Sequence, residues 1–389
     1  MNKNVLTTAA LVLFLGTGSA KAQDDVKIGR QDIKLTSDLM TPEALWAMGR
    51  IGAAEASADG KQIVYQIGYY SVKANKSQQK IAIINADGTG NTTLTTGTKS
   101  ETDPTWFNGK IAFLTGGQLW TMNADGSDRK QISKTSKDIE GFKFSPDGSK
   151  VILLHSIDFH EVIQKNPDDL PKATGRLVTD LMYRHWDHYV ESIQHPFVYE
   201  VNGEGIAANG TDILEGEPYE CPMEPFGGME QLAWSTDSKS IAYTCRKKTG
   251  LAYSISTDSD IYIYKIGTRE TKNLCKPEGY VEPEIDPTTS MKYQKVNDKE
   301  NLVNNVGYDT NPQFSPDGKY IAWLSMERNG YEADRNRLCC YDLATGEKKY
   351  LSETFDSNVD AFVWSDNKEA MIYFIGVWHA TEKLYAVNW

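Results

Sequence analysis

The chain has 389 residues, of which 40% are hydrophobic and 11% aromatic, and its formal net charge at pH 7 is −12. This acidity argues against nucleic acid and anionic membrane surfaces as partners. The length exceeds that of one ordinary domain, but a repeat architecture escapes this limit because each unit buries its face on a neighbour.

Residues 1–22 have the pattern of a secretory signal peptide. Lys3 is followed by an apolar run over residues 5–15, and Ala20-Lys21-Ala22 places small residues before a cleavage point at Gln23. The apolar run is too short to cross a bilayer, no Cys follows it, and no later stretch is long and apolar enough to span. The sequence therefore predicts an exported chain of the bacterial periplasm, with no membrane insertion.

Residues 23–50 are predicted to be an extension that contains one short helix. Thr41 precedes Pro42-Glu43-Ala44-Leu45-Trp46-Ala47-Met48-Gly49, in which Thr caps the helix and Pro occupies its first position. The region after it, residues 51–389, is read as one repeat domain.

A turn of Ser, Pro, Asp and Gly recurs along this domain. It is clearest in Phe144–Gly148 and Phe314–Gly318, each followed by an apolar run. Pro presets φ, Asp bonds its own backbone, and Gly accepts a positive φ, so the motif makes a tight turn between two strands. Weaker copies lie at residues 57–60, 104–109, 234–238 and 364–367.

A second hairpin follows most copies, which gives four short strands for every 40 residues or so, the pattern of a propeller blade. The sequence predicts an all-β propeller of four-stranded blades. Six blades begin near Ile51, Glu101, Ile139, Met229, Asn311 and Val359. The last one stops near its third strand, so we expect an incomplete ring and a chain that is a fragment, because an open propeller leaves strand edges exposed.

Two long segments interrupt the repeat. Residues 157–192 separate the second and third strands of the third blade, and residues 276–310 form a polar connector. Inserts of this length on a repeat scaffold commonly shape a binding face or an edge contact.

Five cysteines lie in the domain: Cys221, Cys245, Cys275, Cys339 and Cys340. An odd number leaves at least one thiol unpaired. Cys245 and Cys275 fall in one blade, where a disulfide between them can be considered. Cys339 and Cys340 are adjacent in a strand and should point to opposite faces. Burial as small hydrophobic residues is the interpretation we favour for most of them.

Three histidines in or just after the first insert, His185, His188 and His195, are candidate metal ligands. In an extended strand His185 and His188 face opposite ways, and no carboxylates at suitable spacing surround them. A packed cluster of aromatic residues and ion pairs is favoured, so no metal is predicted.

Acidic residues are concentrated between Asp212 and Glu230. A solvated loop is the simpler interpretation. The alternative is that one or two carboxylates face the central cavity and bind a cationic group, since a desolvated carboxylate binds an ammonium better than an exposed one does. Glu220, Glu224 and Glu230 are the candidates.

The sequence contains no G-x-S-x-G nucleophile elbow and no phosphate-binding loop of the G-x-x-x-x-G-K-[ST] kind. No alternating βα region is present in which such an elbow could lie. We therefore predict no catalytic residue in this chain and no cofactor.

Several motifs resemble one family. Tyr183-Arg184-His185-Trp186-Asp187, then His195–Val198 and Pro225–Gly228, resemble the N-terminal propeller of the prolyl oligopeptidase family of serine peptidases. The bacterial dipeptidyl and acylaminoacyl peptidases are the similar branch, and Thr41–Trp46 resembles the usual start of these proteins.

The resemblance implies a serine exopeptidase that releases dipeptides or similar short units from peptide N-termini. A C-terminal α/β-hydrolase domain of the same protein, not in this chain, would carry the Ser, Asp and His. The propeller would exclude folded proteins and bind the substrate's amino end. The resemblance leaves open whether the protein forms a homodimer. The alternative is a non-catalytic periplasmic propeller of the TolB type that serves as a binding or scaffold module.

Overall fold

The computed structural model describes residues 27–203, 205–281, 305–365 and 369–389. Their strands form six antiparallel sheets that follow one another along the chain as the blades of a β-propeller. The predicted all-β propeller with six blades is thereby confirmed. The predicted signal peptide, residues 1–22, lies outside the described residues, as does most of the 276–310 connector.

The first three blades contain the following strands: β1 (Arg50–Ala56), β2 (Gln62–Ser71), β3 (Lys76–Asn85) and β4 (Thr92–Thr93); β5 (Thr102–Phe107), β6 (Lys110–Thr115), β7 (Gln118–Met122) and β8 (Lys130–Gln131); β9 (Gly141–Phe144), β10 (Lys150–Asp158), β15 (Ser192–Asn202), β16 (Gly205–Ile206) and β17 (Thr211–Asp212). Two small hairpins interrupt the third blade: β11 (Ile163–Gln164) with β12 (Leu177–Val178), and β13 (Arg184–His185) with β14 (His188–Tyr189).

The last three blades contain β18 (Leu232–Trp234), β19 (Ser240–Cys245), β20 (Asp260–Lys265) and β21 (Glu270–Asn273); β22 (Asp309–Phe314), β23 (Tyr320–Ser325), β24 (Arg337–Asp342) and β25 (Lys348–Tyr350); β26 (Ala361–Trp364), β27 (Met371–Trp378) and β28 (Thr381–Asn388). Helix α1 (Pro42–Ala47) precedes the first blade, α2 (Gly250–Ile255) lies between β19 and β20, and a 3-10 turn (Met229–Gln231) precedes β18. Thr41 Oγ1 accepts a hydrogen bond from the amide of Ala44 and so caps α1.

The repeated turn folds as its residues dictate. Ser145 Oγ donates to Asp147 at 2.7 Å, Asp147 accepts from the amide of Ser149 at 2.9 Å, and Gly148 has a φ of +68°. These hydrogen bonds hold the pKa of Asp147 well below its usual range. Ser315 and Asp317 make the same contact at 2.7 Å in the fifth blade, so the turn is an autonomous local structure.

Apolar clusters fill the space between consecutive blades, which is where the core lies. Five clusters join the six blades in order, and representative members are Val64, Ile81 and Phe113; Leu119, Leu153 and Tyr199; Leu154, Leu232 and Tyr243; Ile261, Ile321 and Trp323; Leu324, Leu338 and Phe374. Each blade is thus stabilised by its neighbours, as in other repeat proteins.

The two terminal blades differ from the others in their exposed sides. All seven residues of β1 are exposed, and Leu384 of β28 is 69% exposed. Among the described residues no apolar cluster joins the sixth blade to the first. In the part of the chain that the structure describes, no helix has the length and apolar character needed to cross a bilayer.

The cysteines correct one expectation. All five are buried free thiols, so the pairing considered for Cys245 and Cys275 is wrong. Cys245 packs between blades three and four, whereas Cys275 packs between blades four and five, so they lie on opposite faces of one sheet. Cys339 also faces the fourth blade, while Cys340 pairs with Ala322, which packs toward the sixth. These two therefore point to opposite faces, as predicted.

Candidate functional site

The irregular backbone of the third and fourth blades gathers on one face of the propeller. In a four-stranded antiparallel blade the first and third turns lie on one face, while the second turn and the link to the next blade lie on the other. The long loops 159–191 and 246–259 are second turns, and the long loop 213–231 links the third blade to the fourth. All three therefore lie on the same face. We call the surface that they form the loop face. Binding residues concentrate on such loops because the sheets position them rigidly.

The loop 159–191, with β13 and β14, has a small apolar core of its own. Phe159, Val162, Ile163, Val190 and Ile193 form one buried cluster. The strands that flank the loop extend slightly further than the sequence indicated, to Asp158 and from Ser192. This core fixes the loop to the third blade and makes it a structured wall of the loop face.

The motif Tyr183–Asp187 forms the second hairpin of this loop. His185 is 6% exposed and its Nε2 lies 3.7 Å from Glu220 Oε2, while Trp186 is 72% exposed at the turn. Trp186 makes an edge-to-face contact with Phe226, which is itself 77% exposed, with ring centroids 5.0 Å apart. The hairpin thus brings the loops 159–191 and 213–231 together.

The remaining side chains of the motif stabilise this hairpin. The guanidinium of Arg184 lies 5.1 Å from the Tyr189 ring centre, and the Tyr183 ring stacks on Tyr189 at 6.5 Å. Asp187 Oδ1 and His188 Nδ1 are 3.0 Å apart, and this hydrogen bond lowers the pKa of Asp187. These contacts join two aromatic rings, a guanidinium and an exposed Asp–His pair within the hairpin.

The three histidines do not converge on one point. His185 and His188 are cross-strand partners with ring centroids 5.8 Å apart, but His195 Nδ1 is hydrogen-bonded to Asp212 Oδ2 at 2.9 Å on the third blade. The cluster of metal-ligand type in the described residues is elsewhere: it joins Asp260, Cys275 and Asp309.

Glu220 is the predicted carboxylate that the fold buries. It is 6% exposed, and its Oε1 accepts hydrogen bonds from the amide of Glu224 at 3.1 Å and from the hydroxyl of Tyr253. Burial, then the negative charge of Glu220, raises the pKa of the Tyr253 phenol, which therefore remains a donor. Oε2 faces His185 and accepts no hydrogen bond from the described residues.

Glu224 and Glu230 have different surroundings. The side chain of Glu224 is half-buried, and its carbonyl lies 3.4 Å from the Tyr253 hydroxyl. Glu230 is exposed and accepts a hydrogen bond from the amide of Gly228 at 2.8 Å. Of the three candidates, Glu220 alone is a desolvated carboxylate.

A half-buried lysine holds the turn that carries Glu230. Lys143 Nζ donates to the carbonyls of Met229 at 2.6 Å and Leu232 at 2.5 Å, at the two ends of the 3-10 turn. Desolvation lowers the pKa of Lys143 to about 8, although the nearby charge of Glu230 opposes this shift. Sequence analysis missed Lys143, since 86 residues separate it from Met229.

An apolar pocket lies beside Glu220. Its walls combine the loop 159–191 with Pro218, Glu220 and the segment from Lys248 to Tyr253, and its free volume is about 30 Å³. Tyr253, on α2, was not predicted as a site residue, because a six-residue helix in the loop 246–259 gives no functional signal in the sequence.

A buried network of charges borders this pocket. Lys248 Nζ lies 3.2 Å from Asp258, and Lys276 Nζ lies 2.9 Å from Asp258 and 2.6 Å from Asp260. The two carboxylates raise the pKa of Lys276 above its ordinary value in spite of burial. The lysines neutralise Asp258 and Asp260, so the protein itself supplies the positive charge beside them.

The chain is similar over most of its length to curated peptidases. It is 43% identical over 359 residues to dipeptidyl-peptidase 5 of Porphyromonas gingivalis, covering 91% of this chain and 48% of that protein. Dipeptidyl-peptidase 5 of Porphyromonas endodontalis is 42% identical over 309 residues, covering 78% of this chain and 40% of the relative. No family model matches the chain.

A solved structure of an acylaminoacyl peptidase in complex with Z-Gly-Gly-Phe-chloromethyl ketone superimposes with a TM-score of 0.57 at 14% identity, covering 88% of this chain and 45% of that one. This likeness supports the fold alone. The chain is thus a six-bladed propeller whose sequence is similar to that of two dipeptidyl peptidases. It spans about half the length of the curated relatives that it matches.

Proposed function

We propose that this chain is the propeller portion of an exported serine exopeptidase that removes dipeptides from peptide N-termini. Its loop face would admit short peptides and bind their free amino end, while a hydrolase domain of the same protein would cleave the peptide bond. The similarity to two dipeptidyl peptidases supports the substrate class. The observation that carries the binding role is the buried carboxylate of Glu220.

Glu220 has the properties that an ammonium site requires. Neutral donors hold one carboxylate oxygen in place, the other oxygen lies 3.7 Å from His185 Nε2, and both residues line the pocket. In the described residues, no lysine or arginine makes an ion pair with Glu220, and its one partner of cationic type is His185, 3.7 Å from Oε2. An incoming ammonium would give this carboxylate a permanently charged partner. Low local dielectric strengthens such a pair, and the loss of one buried partner commonly costs tenfold or more in affinity.

The experiment compares free and acetylated tripeptides on the isolated chain by titration calorimetry. We expect the free amine to bind at least about tenfold tighter, and we expect Glu220→Gln to abolish this preference because it removes the charge but keeps the shape. Glu215→Gln is the matched control, since Glu215 lies in the same loop with its side chain 76% exposed. Equal binding of the two peptides to the unmodified chain would refute the proposal.

Glu230→Gln tests whether Glu230, and not Glu220, is the carboxylate that binds the amine. Because the carboxylate of Glu230 is exposed, we expect this substitution to change the preference for a free amine less than about threefold. A larger effect than that of Glu220→Gln would assign the amine site to Glu230, on the turn that Lys143 holds.

Export is the second part of the proposal. Residues 1–22 would direct the protein to the periplasm and be removed. Amino-terminal sequencing of the protein from a periplasmic fraction should give a first residue of Gln23. An intact leader in the cytoplasmic fraction would contradict export without affecting the binding role.

A further inference from the structure

The pocket beside Glu220 is lined by apolar side chains from one loop and by polar side chains from two others. Val162, Val190 and Ile193 belong to the buried cluster of the loop 159–191, while Glu220 and Tyr253 form the opposite wall. This cluster gives the wall its own packed support, so the pocket does not depend on side chains that are free to move.

Glu220 is the one acidic side chain in the lining of the pocket, and no lysine or arginine of the described residues pairs with it. Lys248 contributes to the wall, but its ammonium lies 3.2 Å from Asp258 and is 7% exposed. His185 lies 3.7 Å from Glu220 Oε2. Apart from Thr249 and Tyr253, the remaining lining is apolar, so a ligand that places a cation at Glu220 contacts mostly hydrocarbon with its other atoms.

A peptide amino terminus meets both demands. Its ammonium and its first side chain are attached to the same carbon atom, so a peptide bound at Glu220 carries that side chain to the adjacent apolar wall. A polar or charged first side chain would lose its hydration there without gaining a partner, which is unfavourable.

The size of the pocket limits the side chain further. About 30 Å³ of free volume accommodates roughly two water molecules, since one water needs about 10–15 Å³ measured in this way. One or a few methyl groups fit in this space. A phenyl or indole ring is larger than this space and would lie partly in the open mouth of the pocket.

We propose that this pocket selects the first residue of the substrate, and that it accepts small aliphatic side chains such as those of Ala and Val. The inference rests on the proposed function, because it places the substrate's ammonium at Glu220. It adds a specificity that is read by the loop 159–191, whose side chains Val162, Val190 and Ile193 would contact the substrate.

The test uses tripeptides X-Ala-Ala with a free amino terminus, where X is Val, Phe or Asp, titrated into the isolated chain. We expect Val to bind at least about tenfold tighter than Phe or Asp, because a poor fit by even one methylene in an apolar pocket has effects of this size. Equal or tighter binding of Phe would overturn the inference.

A widened pocket gives a second, independent readout. Val162→Ala enlarges the pocket, and we expect it to raise the affinity for the Phe peptide relative to the Val peptide by about fivefold or more. Ile157→Val is the matched control, since Ile157 packs on the same cluster but does not line the pocket. An unchanged Phe-to-Val ratio in folded Val162→Ala would overturn the assignment of this wall.

Acetylated Val-Ala-Ala distinguishes failure of the pocket inference from failure of the proposed function. If the free peptides bind much tighter than the acetylated one but do not discriminate among side chains, the proposed amine site stands and the pocket inference is wrong. If the acetylated peptide binds as tightly as the free one, the proposed function fails, and the pocket inference fails with it.

Discussion

Replacing Asp309 by Asn should change how the stability of the protein depends on pH. Asp309 is fully buried between blades four and five, where its Oδ1 accepts from Trp323 Nε1 at 2.7 Å and its Oδ2 accepts from Asn305. Desolvation raises the pKa of Asp309 from 3.8 to about 7, more than its hydrogen bonds lower it. Other titratable groups that influence this site are Asp260, Cys275, Cys339, Lys348 and Tyr350.

The sign and size of the effect follow from linkage. An acid whose pKa is higher in the folded state than in the unfolded state destabilises the fold as pH rises, because the unfolded chain releases the proton at lower pH. The cost is absent below pH 4, grows by about 1.4 kcal/mol for each pH unit between 4 and 7, and is complete above pH 7. Its full size is roughly 4 kcal/mol.

Urea unfolding followed by tryptophan fluorescence at pH 5, 6, 7 and 8 measures this cost. Asn does not titrate, so the free energy of unfolding of Asp309→Asn relative to the unmodified chain should rise by roughly 2–3 kcal/mol from pH 5 to pH 8. Asp356→Asn, at an exposed aspartate near the sixth blade, controls for the loss of one charge. A difference that stays constant across this range would refute the raised pKa of Asp309.

Three shorter predictions concern packing. Leu214→Ala, at a fully buried residue between blades three and four, should lower the free energy of unfolding by about 2–5 kcal/mol in urea, and a loss below about 1 kcal/mol would show that the site collapses. The chain should bind the dye ANS at the exposed side of the sixth blade and increase the fluorescence of the dye. Leu384→Lys should reduce this fluorescence while changing the free energy of unfolding by less than about 0.5 kcal/mol. Unchanged fluorescence would place the dye elsewhere. All five thiols are buried, and burial raises the pKa of Cys340 to about 11. At pH 8, Ellman's reagent should therefore react with the folded chain at least about a hundredfold more slowly than with the unfolded chain. Similar rates would contradict the burial of the thiols.

The number and order of the blades could be predicted because each blade carries a local signal. The turn at Ser145, Asp147 and Gly148 is closed by hydrogen bonds between residues at most five apart, so the sequence itself contains the whole motif. By contrast, no local signal in the sequence shows which neighbouring blade the side chain of a strand residue faces. This is why Cys245 and Cys275 could be placed in one blade but not on its opposite sides.

The candidate site could be predicted only in part for the same reason. Glu220 and His185 were identified as members of two separate motifs, but their approach to 3.7 Å depends on how the loops 159–191 and 213–231 meet. Tyr253 donates to Glu220 across 33 residues, and no sequence pattern marks it. Composition and spacing identify acidic and aromatic residues, whereas the burial that distinguishes Glu220 from Glu230 arises only in the folded chain.

The distribution of buried charge supports the proposal that Glu220 binds a ligand. A lysine next to a buried carboxylate normally neutralises it, and Lys248 lies in the wall of the same pocket. Asp258 instead binds the Lys248 ammonium, and Lys276 balances the excess negative charge of Asp258 and Asp260. Glu220 is held by a phenol and a backbone amide, which orient its carboxylate without cancelling its charge. Because desolvated opposite charges attract strongly, this separation leaves the attraction for the proposed substrate ammonium intact.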